Sequence, residues 1–163
     1  MFVKILPLVL VFGLFVAKPT SNADFEYIGA SKCKMCHNKP PKGEQYNKWA
    51  EGPHANAMKS LKGDEAKDPK CLKCHSTAAA IDPDLNAGIK VEEGVSCESC
   101  HGPGSDYKSM TIMKDRAKAM ENGLVVPDEK VCKTCHNEQS PTFKGFDFKE
   151  YSAKIAHPDP TLK

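Results

Sequence analysis

Apolar residues crowd one end of this chain. Ile5 to Ala17 is an apolar run of 13 residues behind the basic start Met-Phe-Val-Lys. A bilayer span needs about 20 such residues, so the run is short for a membrane helix. Ser21-Asn22-Ala23 then offers small residues at cleavage positions. The pattern predicts a secretory signal peptide over residues 1–23, cut after Ala23. An uncleaved anchor, giving peripheral membrane association, is the alternative. No cysteine precedes Cys33, which argues against a lipoprotein anchor.

Beyond that run the pattern weakens. Strand-like alternation is scarce, and one domain over 24–163 is expected, mostly α with long loops. Gly43 to Leu61 reads as helix, break and helix, with Gly52-Pro53 at the break and Pro53 opening the second limb. His54 then lies near a helix start. Ser76 to Gly94 reads as loop, punctuated by Pro83 and Gly88. Ser105 to Asn122 reads as one helix ended by Gly123, and its Met110, Met113, Ala117 and Met120 share a face suited to core packing. Asp147 to His157 reads as the last helix, with Asp147 and Glu150 set as a capping box and Pro158 as the stop.

Four copies of Cys-x-x-Cys-His interrupt this weak pattern: Cys33 to His37, Cys71 to His75, Cys97 to His101 and Cys132 to His136. They use all eight cysteines and four of the six histidines. The spacing is that of c-type haem attachment. One tight turn brings both thiols to the porphyrin edge, where each can bond a vinyl carbon, and swings the histidine toward iron. Zinc sites or disulfides would use the cysteines and leave the adjoining histidines unexplained. The expected cofactors are four covalent haem c groups, and export fits such attachment. Steps of 38, 26 and 35 residues between motifs form a loose internal repeat.

Composition then makes sense. Mean hydropathy is −0.49 and aromatics are 7%. About 140 residues after cleavage leave roughly 35 per haem. So small a chain needs staples, and the haems serve as staples and as most of the core. The segment after Ala23 has no net charge, and haem propionates make the oxidised holoprotein acidic. No nucleic-acid partner is expected.

Four irons have eight axial positions, and the motifs supply His37, His75, His101 and His136. Only His54 and His157 remain as distal ligands. At most two haems can therefore be bis-histidine within one chain. The other two take a methionine, with Met58 and Met113 as candidates, stay open, or borrow a ligand from a neighbouring subunit. Lys34, Lys73 and Lys133 lie inside three motifs, flanked by Lys32, Lys70 and Lys130, while the third motif carries Glu98. Such lysines either steer an acidic redox partner or neutralise propionates. Trp49 reads as packing on a haem edge. Glu98 and Asp106 read as solvated surface.

Tyr27-Ile28-Gly29-Ala30 before the first motif, Trp49 and Gly52-Pro53-His54-Ala55-Asn56-Ala57, and Gly94-Val95-Ser96 through Gly102-Pro103-Gly104 resemble the tetrahaem cytochrome c-554 family. So do Cys132 to Asn137, Ser140-Pro141-Thr142-Phe143 and Ile155-Ala156-His157-Pro158. The resemblance covers nearly all of the chain beyond Ala23. It implies a mostly helical multihaem fold with closely packed haem pairs, and an exported electron carrier in which one haem lacks a strong distal ligand. It also assigns distal roles to His54 and His157. The expected function is periplasmic electron transfer between redox protein donors and acceptors. Two rivals are a small enzyme reducing a nitrogen oxide at an open haem, and an oligomeric subunit of a haem-stacked filament.

Overall fold

Every Cys-x-x-Cys-His stretch sits on a helical turn in the computed structural model, which describes residues 25–161. The predicted signal segment lies outside the described residues. The motif helices are α1 (Ala30–His37), α3 (Pro69–His75), α5 (Cys97–His101) and α8 (Glu129–Lys133). In the fourth motif the turn continues past α8, and the His136 N–H donates to Cys132 O at 3.0 Å. Between them lie α2 (Gln45–Glu51), α4 (Thr77–Ala80), α6 (Met110–Met113) and α7 (Arg116–Glu121). Last comes α9 (Phe148–Ile155). Short 3-10 turns fill several connections, and the described residues contain no strand beyond an isolated Tyr27–Asn86 bridge. Helix with long loops is thus the observed class. No helix among the described residues is long and apolar enough to cross a membrane.

Local chemistry explains where these helices begin and end. Asp68 accepts from the Lys70 N–H at 2.8 Å, and Pro69 takes the first helical position, where its missing donor costs nothing. Asp128 caps α8 through the Val131 N–H at 3.0 Å. Asp147 caps α9 through the Glu150 N–H at 2.7 Å, as expected. The return half of that capping box is not made, because Glu150 pairs with Lys154 at 2.6 Å instead. Gly123 ends α7 at φ +97°, with Leu124 N–H on Ala119 O and Gly123 N–H on Met120 O, a Schellman closure.

Three expected elements differ. The helix over Ser105 to Asn122 is split, because Asp115 caps a new start by accepting from the Lys118 N–H at 3.2 Å. Its methionine stripe is not core: Met110 and Met120 are exposed, while Ala119 is fully buried. The limb after Gly52-Pro53 is a run of turns into a 3-10 turn at Ala57–Ser60 rather than a second helix. There the Asn56 amide donates to Ala50 O and Gly52 O at 3.2 and 2.8 Å, capturing carbonyls that a helix would use. Ser76 to Gly94 is not plain loop, since it holds α4 and 3-10 turns at Pro83–Leu85 and Val91–Glu93.

The apolar core among the described residues is only Ile28, Ala30, Ile89, Tyr107 and Ala119. Beside it Ser76, Thr77, Ser96 and Glu98 are equally buried. Contacts between α1 and α2, α1 and α5, and α3 and α4 carry most of the packing between helices.

Gly94 shows how tightly the loops mesh. It stands at φ +68°, and a Cβ there would lie 2.6 Å from His54 O and 2.8 Å from Ala55 O. Gly63, at φ +53°, faces open space. Gly63→Ala should cost about 1 kcal/mol from backbone strain alone. Gly94→Ala should cost about 2 kcal/mol more, because backbone atoms must move. Denaturant unfolding of the two variants checks the difference.

Candidate haem-binding site

Imidazoles from distant segments meet in two pairs. His54 and His136 have ring centroids 6.0 Å apart at an interplanar angle of 65°. His101 and His157 are also 6.0 Å apart, at 78°. Two imidazoles on opposite sides of one metal, each bonded at about 2.0–2.1 Å, have ring centres about 6 Å apart. Both pairs thus fit one iron between two histidines. The structure brings His54 to the fourth motif and His157 to the third.

The tautomers suit the same role. The Nδ1 of His75 faces Ala57 O at 3.0 Å, with Ser60 Oγ at 3.2 Å. His157 Nδ1 faces Ile155 O at 2.8 Å, and His101 Nδ1 faces Val125 O at 3.4 Å. A carbonyl only accepts, so each Nδ1 carries the proton and Nε2 keeps its lone pair for a metal. Burial holds His54 below the usual imidazole range, with His136 adding to the effect. Burial also lowers His136 and, with His157 and His37 nearby, His101. Neutral rings are the metal-binding form.

Each paired ring is held in place. His136 stacks on Phe146 with centroids 4.9 Å apart, and Phe146 leans on Tyr151 at 5.1 Å. A cavity of about 220 Å³ opens beside Cys135 and His136, walled by Phe143, Lys144 and Tyr151. His54 lies on a turn pinned to the third motif, since its carbonyl accepts from the Val95 N–H at 3.0 Å. Trp49 reinforces that pin through an indole N–H bond of 2.9 Å to Val95 O, a structural bond the sequence did not reveal. His157 belongs to a tail strapped to the turn after the first motif: Lys42 pairs with Asp159 at 3.6 Å and donates to Thr161 Oγ1 at 2.9 Å.

The cysteines form a second pattern. The Cys33 and Cys97 thiols are neighbours, and so are those of Cys74 and Cys135. Cys100 lies within the field of Cys132 and Cys135. Burial pushes Cys100 up to about 11, while the neighbouring Cys33 thiol and burial raise Cys97. Cys36 is exposed, and Cys71 and Cys132 are half-buried. Among the described residues, no three His, Cys, Asp or Glu side chains are grouped to hold a metal on protein ligands alone. The imidazole pairs, with motif cysteines beside them, are the side chains that a covalent haem would use.

Of the methionine candidates, Met58 lies in the Ala57–Ser60 turn behind the His75 ring, and Met113 ends α6; both are half-buried. The motif lysines and their neighbours are exposed. Lys133 pairs with Glu129 at 2.6 Å, Lys34 lies 5.1 Å over the Tyr46 ring, and Lys73 meets Gln139.

Glu98 is the main correction. It is not solvated surface but 1% exposed. Its Oε1 accepts from Ile28 N–H at 3.0 Å and Gly104 N–H at 2.7 Å. Its Oε2 accepts from Gly29 N–H at 2.8 Å and Ile28 N–H at 3.1 Å. Glu93 Oε2 adds a bond from Ala30 N–H at 2.8 Å, so two remote carboxylates cap α1, whose own N-cap is Gly29. The available signal was Glu98 standing in a motif without the lysine that the other three carry. Asp106, by contrast, is exposed, as expected.

The lowered His54, His101 and His136 rings set a pH dependence. An unfolded chain protonates them near pH 6.5, and the folded chain resists. Below that pH the unfolded state binds more protons, so stability falls as pH drops through about 6.5 and levels off above it. Denaturant midpoints of the holoprotein at pH 5 and pH 7.5 test this, with the lower value expected at pH 5.

Comparison with known proteins agrees with this chemistry. Residues 32–102 match a protein family described as cytochrome c554 and c-prime. The chain is 29% identical over 160 aligned residues to cytochrome c-554 of Nitrosomonas europaea, covering 76% of this chain. It spans 63% of that relative's length. No solved structure matches. Two imidazole pairs at metal-bridging distance, neighbouring thiols at attachment positions and these likenesses converge: the chain is similar to the cytochrome c-554 family of c-type cytochromes.

Proposed function

We propose that the protein is an exported electron carrier holding four haems, attached at Cys33 and Cys36, Cys71 and Cys74, Cys97 and Cys100, and Cys132 and Cys135. The observation that carries this reading is the pair of 6.0 Å imidazole separations, His54 with His136 and His101 with His157. Each joins a motif histidine to one of the spare histidines, as two bis-histidine irons require. His37 and His75 hold the other two irons, whose distal positions fall to methionine or remain open. When bound, haem supplies the reversible one-electron chemistry; the chain supplies geometry and field.

The thiol neighbours support an order for the groups. Cys33 meets Cys97, Cys100 lies near Cys132 and Cys135, and Cys135 meets Cys74. The spatial order is then first, third, fourth and second motif. The two bis-histidine sites stand inside that row, and the His37 and His75 sites stand at its ends. Electrons enter and leave at the ends, where acidic redox proteins meet exposed Lys32 and Lys34 or Lys70 and Lys73. The apolar run before Ala23 supports a periplasmic location.

Haem content and ligation test this reading. Purified protein should carry four covalent haems per chain by mass and by pyridine haemochrome. Carbon monoxide should bind no more than two of the reduced haems. His54→Ala and His157→Ala should each convert one further haem to a high-spin, carbon-monoxide-binding form. Two haems per chain, or variants with unchanged optical spectra, would sink the assignment.

A further inference from the structure

Glu98 does more in this fold than the ligand count requires. It stands beside Cys97 in the third motif, and its bonds reach Ile28 and Gly29 at the start of the first motif's helix. The ion pairs among the described residues are Lys42–Asp159, Lys118–Asp115, Lys133–Glu129 and Lys154–Glu150, and none involves Glu98. Its charge is offset only by backbone N–H dipoles and the N-terminus of α1. A buried charge with no counter-ion is poorly screened and acts over several ångströms.

The neighbouring groups register that field. Burial first, and Glu98 second, push the Tyr27 hydroxyl up. The Tyr107 hydroxyl is raised by burial and then by Cys33 and Glu98. Tyr107 donates to Gly102 O at 2.9 Å, directly after the third motif. Cys33 and Cys97 lie inside the same field. No comparable buried carboxylate stands among the described residues of the second and fourth motifs.

We infer that Glu98 is a tuning residue: its buried charge lowers the reduction potential of the haem on the third motif most, and that of the first motif next. Reduction adds one negative charge to each iron, and a fixed negative charge nearby opposes that addition. The other end of the row is then the better electron acceptor, so electrons settle toward the second and fourth motifs. The inference rests on the four-haem reading, which haem counting checks separately.

The test compares Glu98→Gln and Glu98→Asp holoproteins by spectroelectrochemical titration, once each is shown to hold four haems. The haem whose spin state responds to His157→Ala marks the third motif. Glu98→Gln keeps an acceptor oxygen and removes the charge, so the third-motif potential should rise, the first-motif potential should rise less, and the others should stay. Glu98→Asp keeps the charge and should leave the wild-type order. Unchanged potentials in Glu98→Gln, or an equal rise at all four haems, would overturn the proposal. A further measurement needs no variant at Glu98: in otherwise native protein the third-motif haem should be among the last reduced. Its reduction first of the four would overturn the proposal whether or not Glu98→Gln folds.

Discussion

Three backbone N–H groups converge on one buried carboxylate, and much of the described fold hangs on that convergence. Ile28 and Gly29 lie some 70 positions before Glu98 and Gly104 lies six after it, yet all donate to its carboxylate. Each would be an orphan donor in the interior without it, at roughly 1–3 kcal/mol apiece. The carboxylate fixes the start of α1 against the end of α5, and so sets the first motif beside the third. The contact of Cys33 with Cys97 follows from that placement. Glu93, Ser96, Thr77 and Ser99 extend the same polar seam, with Ser96 N–H on Thr77 Oγ1 at 2.8 Å.

Such a seam is unusual at the centre of a small protein. Five buried apolar side chains among the described residues offer little hydrophobic stabilisation for about 140 residues of chain. The surfaces left over are of the kind that a porphyrin covers: exposed Met110, Met120 and Val125, and the aromatic wall of Phe146 and Tyr151 beside His136. Covalent haem therefore does the work that a larger apolar core does elsewhere, and polar bonding supplies register among the loops.

What could be read from sequence was whatever local chemistry determines. The motif turns, the Asp147 cap and the Gly123 stop all depend on residues within a few positions of each other. The same holds for the break at Gly52. The ligand arithmetic was equally legible, since it needs only a count of histidines. The pairing of His54 with His136 and of His157 with His101 was not, because it depends on which loops meet. Asp115 was misread inside a helix, since capping and helical positions compete within one turn. Glu98 was misread for a deeper reason. A lone glutamate is normally at the surface, and its backbone partners come from residues that carry no side-chain signal.

The strap at the far end has a different significance. Lys42 meets Asp159 and Thr161 across some 117 residues, so the tail that presents His157 comes back to the turn beside the first motif. The chain is in effect a closed loop fastened by a weak, salt-sensitive clasp. None of residues 156–161 is buried, so the placement of the His157 ring beside His101 leans on that clasp and is tied to ionic strength.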